Sequence, residues 1–227
     1  LNPFIENIQV IIIMIKSMFF YILAMFHLST VYAEIYDSGR LTPVMLLDKL
    51  DQPMELAVAA DGRIFFIELN GQFRVLNPKD DSVSLIHKFE VARRGEVGLI
   101  GLALDPNFLK NNWVYLQYSP IGLTSQRTSR FTLQKNKIIE GSEKRLIEFH
   151  EPFGKGSHHA GSLEFGPDGC LYISTGDDTS PGGDSKGYAP IDDRPGQHRL
   201  SAEKSSSNPF SYNGKVLRIR PMDDGGY

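Results

Sequence analysis

The stretch His158-His159-Ala160-Gly161-Ser162-Leu163-Glu164-Phe165-Gly166-Pro167-Asp168-Gly169-Cys170-Leu171-Tyr172-Ile173-Ser174-Thr175-Gly176-Asp177-Asp178 decides the fold. Leu163 and Phe165, then Leu171 and Ile173, put apolar side chains at every second position, the spacing of half-buried strands. Pro167-Asp168-Gly169 between them is a tight-turn sequence: Pro presets φ and Gly tolerates a positive φ. The segment is therefore a strand–turn–strand unit. A His pair in a glycine-containing approach precedes it, at the place where a ligand-facing loop would lie.

Working outward, the unit recurs. A strand ending in Ala-x-Asp-Gly, x-Asp-Pro-Asn or Gly-Pro-Asp-Gly, followed by an aromatic-rich strand, occurs at residues 56–67, 102–118 and 163–175. The spacing is roughly 45–60 residues, in the range of propeller blades with inserted loops. One antiparallel sheet cannot bury both of its faces, and radial stacking of such sheets solves that problem. Further strands are expected at residues 73–76, 128–133 and 214–219, and no window reads as an amphipathic helix after residue 33. The fold class expected is all-β, a β-propeller of which three to four blades are present. About 190 residues would hold no more than that at this repeat length. The chain begins with Leu1 and runs out at Gly225-Gly226-Tyr227 without a terminating element, so a partial chain, open at both ends, is expected.

Residues 1–33 do not share the β pattern. Lys16 is a basic n-region, residues 18–28 an apolar core, and Val31-Tyr32-Ala33 a small-x-small cleavage site before Glu34, together a signal peptide. Residues 1–13 are read as upstream translation. The competing reading, a membrane anchor, needs about 20 apolar residues, and the uncharged core after Lys16 is shorter than that. Residues 34–227 are then the exported part. The net charge is −3 with no basic stripe, which argues against nucleic acid as a partner. The single cysteine, Cys170, reads as a small buried filler. Export with one cysteine points to a bacterial periplasm or cell surface. Residues 89–97 and 180–212 are irregular, and a long loop of that kind is usually functional or disordered.

Several ordered motifs carry a resemblance. Gly95-Glu96-Val97-Gly98-Leu99-Ile100-Gly101-Leu102-Ala103-Leu104-Asp105-Pro106-Asn107-Phe108 is followed by Asn112-Trp113-Val114-Tyr115-Leu116 and Ser129-Arg130-Phe131. The opening stretch, with Thr175-Gly176-Asp177, and then Asn213-Gly214-Lys215-Val216-Leu217-Arg218-Ile219 complete the series. Over about residues 42–221 the chain resembles the soluble quinoprotein glucose/sorbosone (aldose sugar) dehydrogenases. That resemblance implies a six-bladed propeller binding pyrroloquinoline quinone (PQQ) with Ca²⁺, and oxidation of a sugar at C1 by hydride transfer to the quinone. It implies His158 as general base, and imidazole suits that task near neutral pH. It places Glu96 where some members carry Gln, near sugar or quinone, and His159 in the pocket lining. It puts the Ca²⁺ ligands and the cationic quinone clamp beyond Tyr227, so Asp177 and Asp178 are read as turn carboxylates and Arg218 and Arg220 as surface charges. Ser162 stands where many sugar-oxidising members have Arg. The partners implied are a sugar substrate and a periplasmic electron acceptor such as a cytochrome c domain. Two other functions compete: a non-enzymatic carbohydrate- or protein-binding propeller of the same superfamily, and a calcium-dependent lactone hydrolase, which the ordered motifs disfavour.

Overall fold

The computed structural model describes residues 42–151, 158–177, 179, 188, 191–197 and 201–227. The signal segment expected over residues 1–33 lies outside the described residues. Residues 42–48 belong to a first compact unit and carry no regular structure; every sheet among the described residues lies in the second, Lys49–Tyr227.

The second unit is all-β, as the periodicity predicts, and every strand pairing in it is antiparallel. Its first sheet is a plain meander of β1 (Pro53–Val58), β2 (Ile64–Glu68), β3 (Gln72–Asn77) and β4 (Ser82–Lys88). The second runs β5 (Leu99–Leu104), β6 (Trp113–Tyr118) and β7 (Ser125–Gln134). Beyond β7 lie β8 (Lys137–Ile138) and β9 (Lys144–His150), each paired to a different part of it. The third holds β10 (Leu163–Phe165), β11 (Leu171–Ser174) and β12 (Val216–Ile219). The three repeated units of the sequence are thus the first two strands of three successive sheets.

Among the described residues one short helix, α1 (Phe108–Asn111), interrupts the strands where a turn alone is expected. Asp105 starts it: its carbonyl accepts from Phe108 N at 2.8 Å and its Oδ1 from Asn107 N at 2.8 Å. Asn112 stops it in the left-handed region at φ 56°, a conformation Asn tolerates better than most residues. The helix serves to bury Phe108, whose ring meets Phe65 edge-on at 5.2 Å.

The middle sheet explains the apolar density of β5 and β6. Leu99 and Leu102 of β5, with Val114 and Leu116 of β6, pack into a core shared with Phe65, Ile67, Phe73 and Val75 of the first sheet. The alternate residues Ala103 and Tyr115 face the other way. They join Leu146, Phe149, Leu163, Leu171, Ile173 and Ile219 in a second core against the third sheet. A sheet covered on both faces must be apolar at consecutive positions, so the run Leu99-Ile100-Gly101-Leu102-Ala103-Leu104 shows no clean alternation. Cys170 is buried and free, the filler role read from sequence. The outer ends are tied by Arg130, buried and stacked over Trp113 at 3.8 Å. It donates from Nη1 to Met222 O at 2.7 Å and from Nη2 to Asp223 O at 2.9 Å.

The three sheets meet along their first strands through one carboxylate. Glu55 of β1 accepts Leu102 N of β5 at 2.9 Å on Oε2, and Ser162 Oγ, at the entry to β10, at 3.0 Å on Oε1. Burial at this junction pushes its carboxyl above the ordinary value of 4.5, against the pull of those hydrogen bonds. A raised carboxyl keeps its proton in the folded state to a higher pH than in the unfolded one. The stability it contributes is therefore full below 4.5 and is lost as pH rises through the folded value. We expect the urea midpoint of the wild type to fall across the weakly acidic range, and that of Glu55→Gln to fall less. Parallel curves for the two proteins from about pH 4 to 7 would show that burial of Glu55 carries no such cost.

Candidate functional site

The first strands of the second and third sheets, β5 and β10, lie side by side, and the residues before each form one face. Glu96 leads into β5, residues 158–162 lead into β10, and Asp177 follows the neighbouring antiparallel strand β11. Three chain segments distant in sequence so converge at one end of the strands. The clefts of about 370 and 580 Å³ around Asp105, Pro106 and Asn107 lie at the opposite ends of β5 and β10 and include none of these groups.

His158 is the centre of the face. Its side chain is 44% exposed, and Nδ1 lies 3.0 Å from Asp177 Oδ1. An ionised carboxylate can only accept, so in the neutral ring the proton sits on Nδ1 and Nε2 keeps its lone pair. A neutral imidazole with one nitrogen held by a carboxylate and the other free to accept is the form a general base requires. Asp177, read from sequence as a turn residue, does both jobs: the same Oδ1 accepts Thr179 N at 3.0 Å. Asp178 lies outside the described residues. The sequence signal for the Asp177 contact was weak, because nineteen residues and two strands separate the partners.

The backbone around His158 is unusual. His158 has φ 61° and Ala160 φ 50°, both in the left-handed region that L side chains seldom adopt, and Gly161 follows at φ 141°. Strain of this sort persists only where the surroundings over-determine it. Here they do. His159 N donates to Glu96 Oε2 at 3.3 Å, and His159 O accepts from Gly176 N at 2.9 Å and from Gln126 Nε2 at 3.2 Å. Gly161 N and Ser162 N both donate to Ser174 Oγ, at 3.2 and 2.9 Å. Behind them Gln126 Oε1 accepts from Gln117 Nε2 at 2.7 Å, and both amides are fully buried.

The three expected site residues therefore divide. Glu96 is exposed and His158 partly so, and they share this face. His159, expected in the pocket lining, turns inward and is 1% exposed, with Nδ1 2.6 Å from Glu151 Oε1. Glu151 was not singled out from sequence. It follows β9, is 0% exposed, and burial pushes its carboxyl above the ordinary value, opposed by His159 and His150. Arg218 is a surface charge as read, donating from Nε and Nη2 to Asp168 Oδ2 at 2.9 and 2.8 Å. The Cys170 N–H, together with that Arg218 contact, holds the Asp168 carboxyl well below its usual range.

The chemistry of the donor set limits what the site can hold. Two carboxylates and an imidazole suit a sugar hydroxyl: they accept its hydrogen bonds and can take its proton. They do not suit a tricarboxylate quinone, which wants cationic partners. Among the described residues no group of three or more His, Cys, Asp or Glu is arranged to hold a metal ion. Nor, among them, is any helix long and apolar enough to cross a membrane.

Comparison with known proteins completes the description. The sequence model of a family described as glucose/sorbosone dehydrogenase matches residues 50–226. The mouse (Mus musculus) Hedgehog-interacting protein is 28% identical over 194 residues, covering 77% of this chain and 25% of its own. Quinoprotein glucose dehydrogenase B of Acinetobacter calcoaceticus is 24% identical over 185 residues, covering 77% of this chain and 38% of its own. The PQQ-bound aldose sugar dehydrogenase of Streptomyces coelicolor shares the fold. Its TM-score is 0.61 at 21% identity, over 82% of this chain and 48% of that one. The chain thus spans from a quarter to about half the length of these proteins.

Proposed function

The chain belongs to the glucose/sorbosone dehydrogenase family, and from that premise we propose that the protein oxidises an aldose or related sugar at C1, with His158 as general base. The observation that carries this reading is the His158 Nδ1–Asp177 Oδ1 contact of 3.0 Å. In the neutral ring it favours the tautomer in which Nε2 can take the proton of an anomeric hydroxyl. Glu96, exposed beside the same turn, would accept a hydrogen bond from a neighbouring sugar hydroxyl. The proton goes to His158, the hydride leaves C1 for an acceptor, and a lactone remains.

The acceptor in our proposal is PQQ, held with Ca²⁺, which supplies two-electron oxidation when bound. The described residues near His158 do not fit its carboxylates, so its counter-charges would come from residues other than those described. We further propose that the three antiparallel sheets are blades of a six-bladed propeller and that the protein is exported to a bacterial periplasm or surface. Electrons would pass on to a periplasmic acceptor such as a cytochrome c domain. A second reading, a binding propeller without catalysis, takes its support from the 28% identity to the Hedgehog-interacting protein.

One assay separates the two. The full-length gene product, incubated with PQQ and Ca²⁺, is expected to reduce an artificial electron acceptor when aldoses are added. Absence of sugar-dependent reduction, with no change in the quinone spectrum, would reject the dehydrogenase and leave the binding propeller.

A further inference from the structure

We propose that Glu151 is a positioning residue: its buried carboxylate grips the His159 imidazole and, through it, fixes the turn that holds His158 against Asp177. The inference rests on the proposed function only in taking His158 as the working base.

Three observations carry it. First, Glu151 is anchored before it reaches His159. Its N–H donates to Thr124 O at 3.0 Å, extending the β7–β9 ladder by one bond past the Ser125–His150 pair. Second, the pair is deep. Glu151 is 0% and His159 1% exposed, with Oε1 and Nδ1 2.6 Å apart in close polar contact, and neither carboxylate oxygen has an aligned hydrogen-bond donor among the described residues. A carboxylate placed there without a partner is costly, and apolar side chains would fill the space at less expense. What a polar contact adds, and an apolar filling would not, is direction. Third, His159 is the pivot of the strained turn. Its two chain neighbours, His158 and Ala160, hold φ of 61° and 50°. Its own backbone is bonded on both sides, to Glu96, Gly176 and Gln126. Those backbone bonds fix the height of the turn. The Glu151–His159 contact fixes its rotation about the chain axis, and the His158 side chain follows that rotation. The raised proton affinity of Glu151 agrees with a site built in low dielectric.

The alternative is a pair that merely fills the interior, and the test must separate the two. Histidine ring nitrogens of the full-length gene product would be labelled with ¹⁵N and observed by long-range ¹H–¹⁵N spectroscopy. The His158 signals are assigned by their loss in His158→Asn. The wild type is expected to show His158 locked in the Nδ1-protonated tautomer. Glu151→Ala is expected to convert this to the averaged pattern of a free imidazole. It should also lower kcat for sugar oxidation about tenfold, the usual scale for losing an outer partner, with KM changed less than about twofold. Glu151→Gln, which keeps a polar oxygen beside His159 Nδ1, is expected to keep both the tautomer and most of the rate. A Glu151→Ala protein that melts cooperatively and retains the wild-type His158 pattern overturns the proposal, however much stability it has lost. If Glu151→Ala does not fold, His159→Leu removes the same contact from the other side, and an unchanged His158 pattern there overturns it equally. Lack of sugar oxidation by the wild type would remove the proposed function and leave the tautomer measurement standing, so the two failures are distinguishable.

Discussion

His158→Asn in the full-length gene product is expected to lower kcat for sugar oxidation by about 10²–10⁴-fold, the range that loss of a positioned general base produces. Asn is the informative replacement because the residue sits at φ 61°, and Asn enters the left-handed region more readily than Ala does. Its amide can still approach Asp177, so the turn keeps a polar partner, but it offers no basic nitrogen. The side chain is 44% exposed and belongs to neither core, so the urea midpoint should stay close to that of the wild type. If the base acts in the transition state alone, KM changes little while kcat and kcat/KM fall together. A variant that keeps wild-type kcat would remove His158 from the chemistry. One that loses rate and cooperative melting together would show that the residue supports the fold and would leave the base unassigned.

Much of the architecture was legible because the inner strands are buried. β2, β5, β6 and β11 carry apolar residues dictated by cores on one or both faces, and the turns between them announce themselves by Asp-Gly, Asp-Pro-Asn and Pro-Asp-Gly. The outermost strands were not legible. β4 ends the first sheet and β9 the second, and each pairs on one side only. In β4, Ser82-Val83-Ser84-Leu85 alternates, yet Leu85 is exposed and the next residue, Ile86, is the buried one; the pairing with β3 shifts register between Phe73 and Arg74, so the alternation does not report the buried face. In β9 the adjacent Leu146 and Ile147 are both buried, and the pairing with β7 shifts register nearby, between Thr128 and Ser129. A slip of that kind breaks strict alternation. β1 fails in a different manner: Leu56 and Val58 alternate as expected, yet each is 62% exposed, and the half-buried positions are Glu55 and Ala57.

The candidate site divides along the same physical line. His158 and Glu96 stand out in sequence because motifs of fixed spacing surround them. Glu151 does not, since a lone acidic residue at the end of an edge strand reads as a solvated carboxylate. Only the packing of β9 against β7 brings it under the turn. Asp177 was visible as a residue and hidden as a partner: the reach from β11 back to the entry of β10 is a property of the hairpin, not of local spacing.

Gly176→Ala is the substitution with the largest expected effect on stability, about 3 kcal/mol, the upper end of what overpacking usually costs. A Cβ built at Gly176 would lie 1.4 Å from His158 O, 2.3 Å from His158 C and 2.6 Å from His159 C. All three are backbone atoms, so no side chain can swing aside to make room. Gly176 φ lies outside the left-handed region, and the cost is therefore steric, not conformational. Relief would require the His158–His159 turn to move away from the end of β11. That movement would break the Gly176 N–His159 O bond of 2.9 Å and pull His158 from Asp177, the residue next along the chain. Gly122→Ala is the control. It has φ 77° and open space around it, so it carries the conformational cost alone, about 1 kcal/mol. Urea unfolding should place Gly176→Ala well below Gly122→Ala. The His158 ring in Gly176→Ala should show a free-imidazole pattern even in the fraction that remains folded. Equal midpoints for the two variants, or a His158 ring still locked to Asp177 beside Ala at position 176, would mean that the close approach of β11 to the His158 turn does not hold the site together.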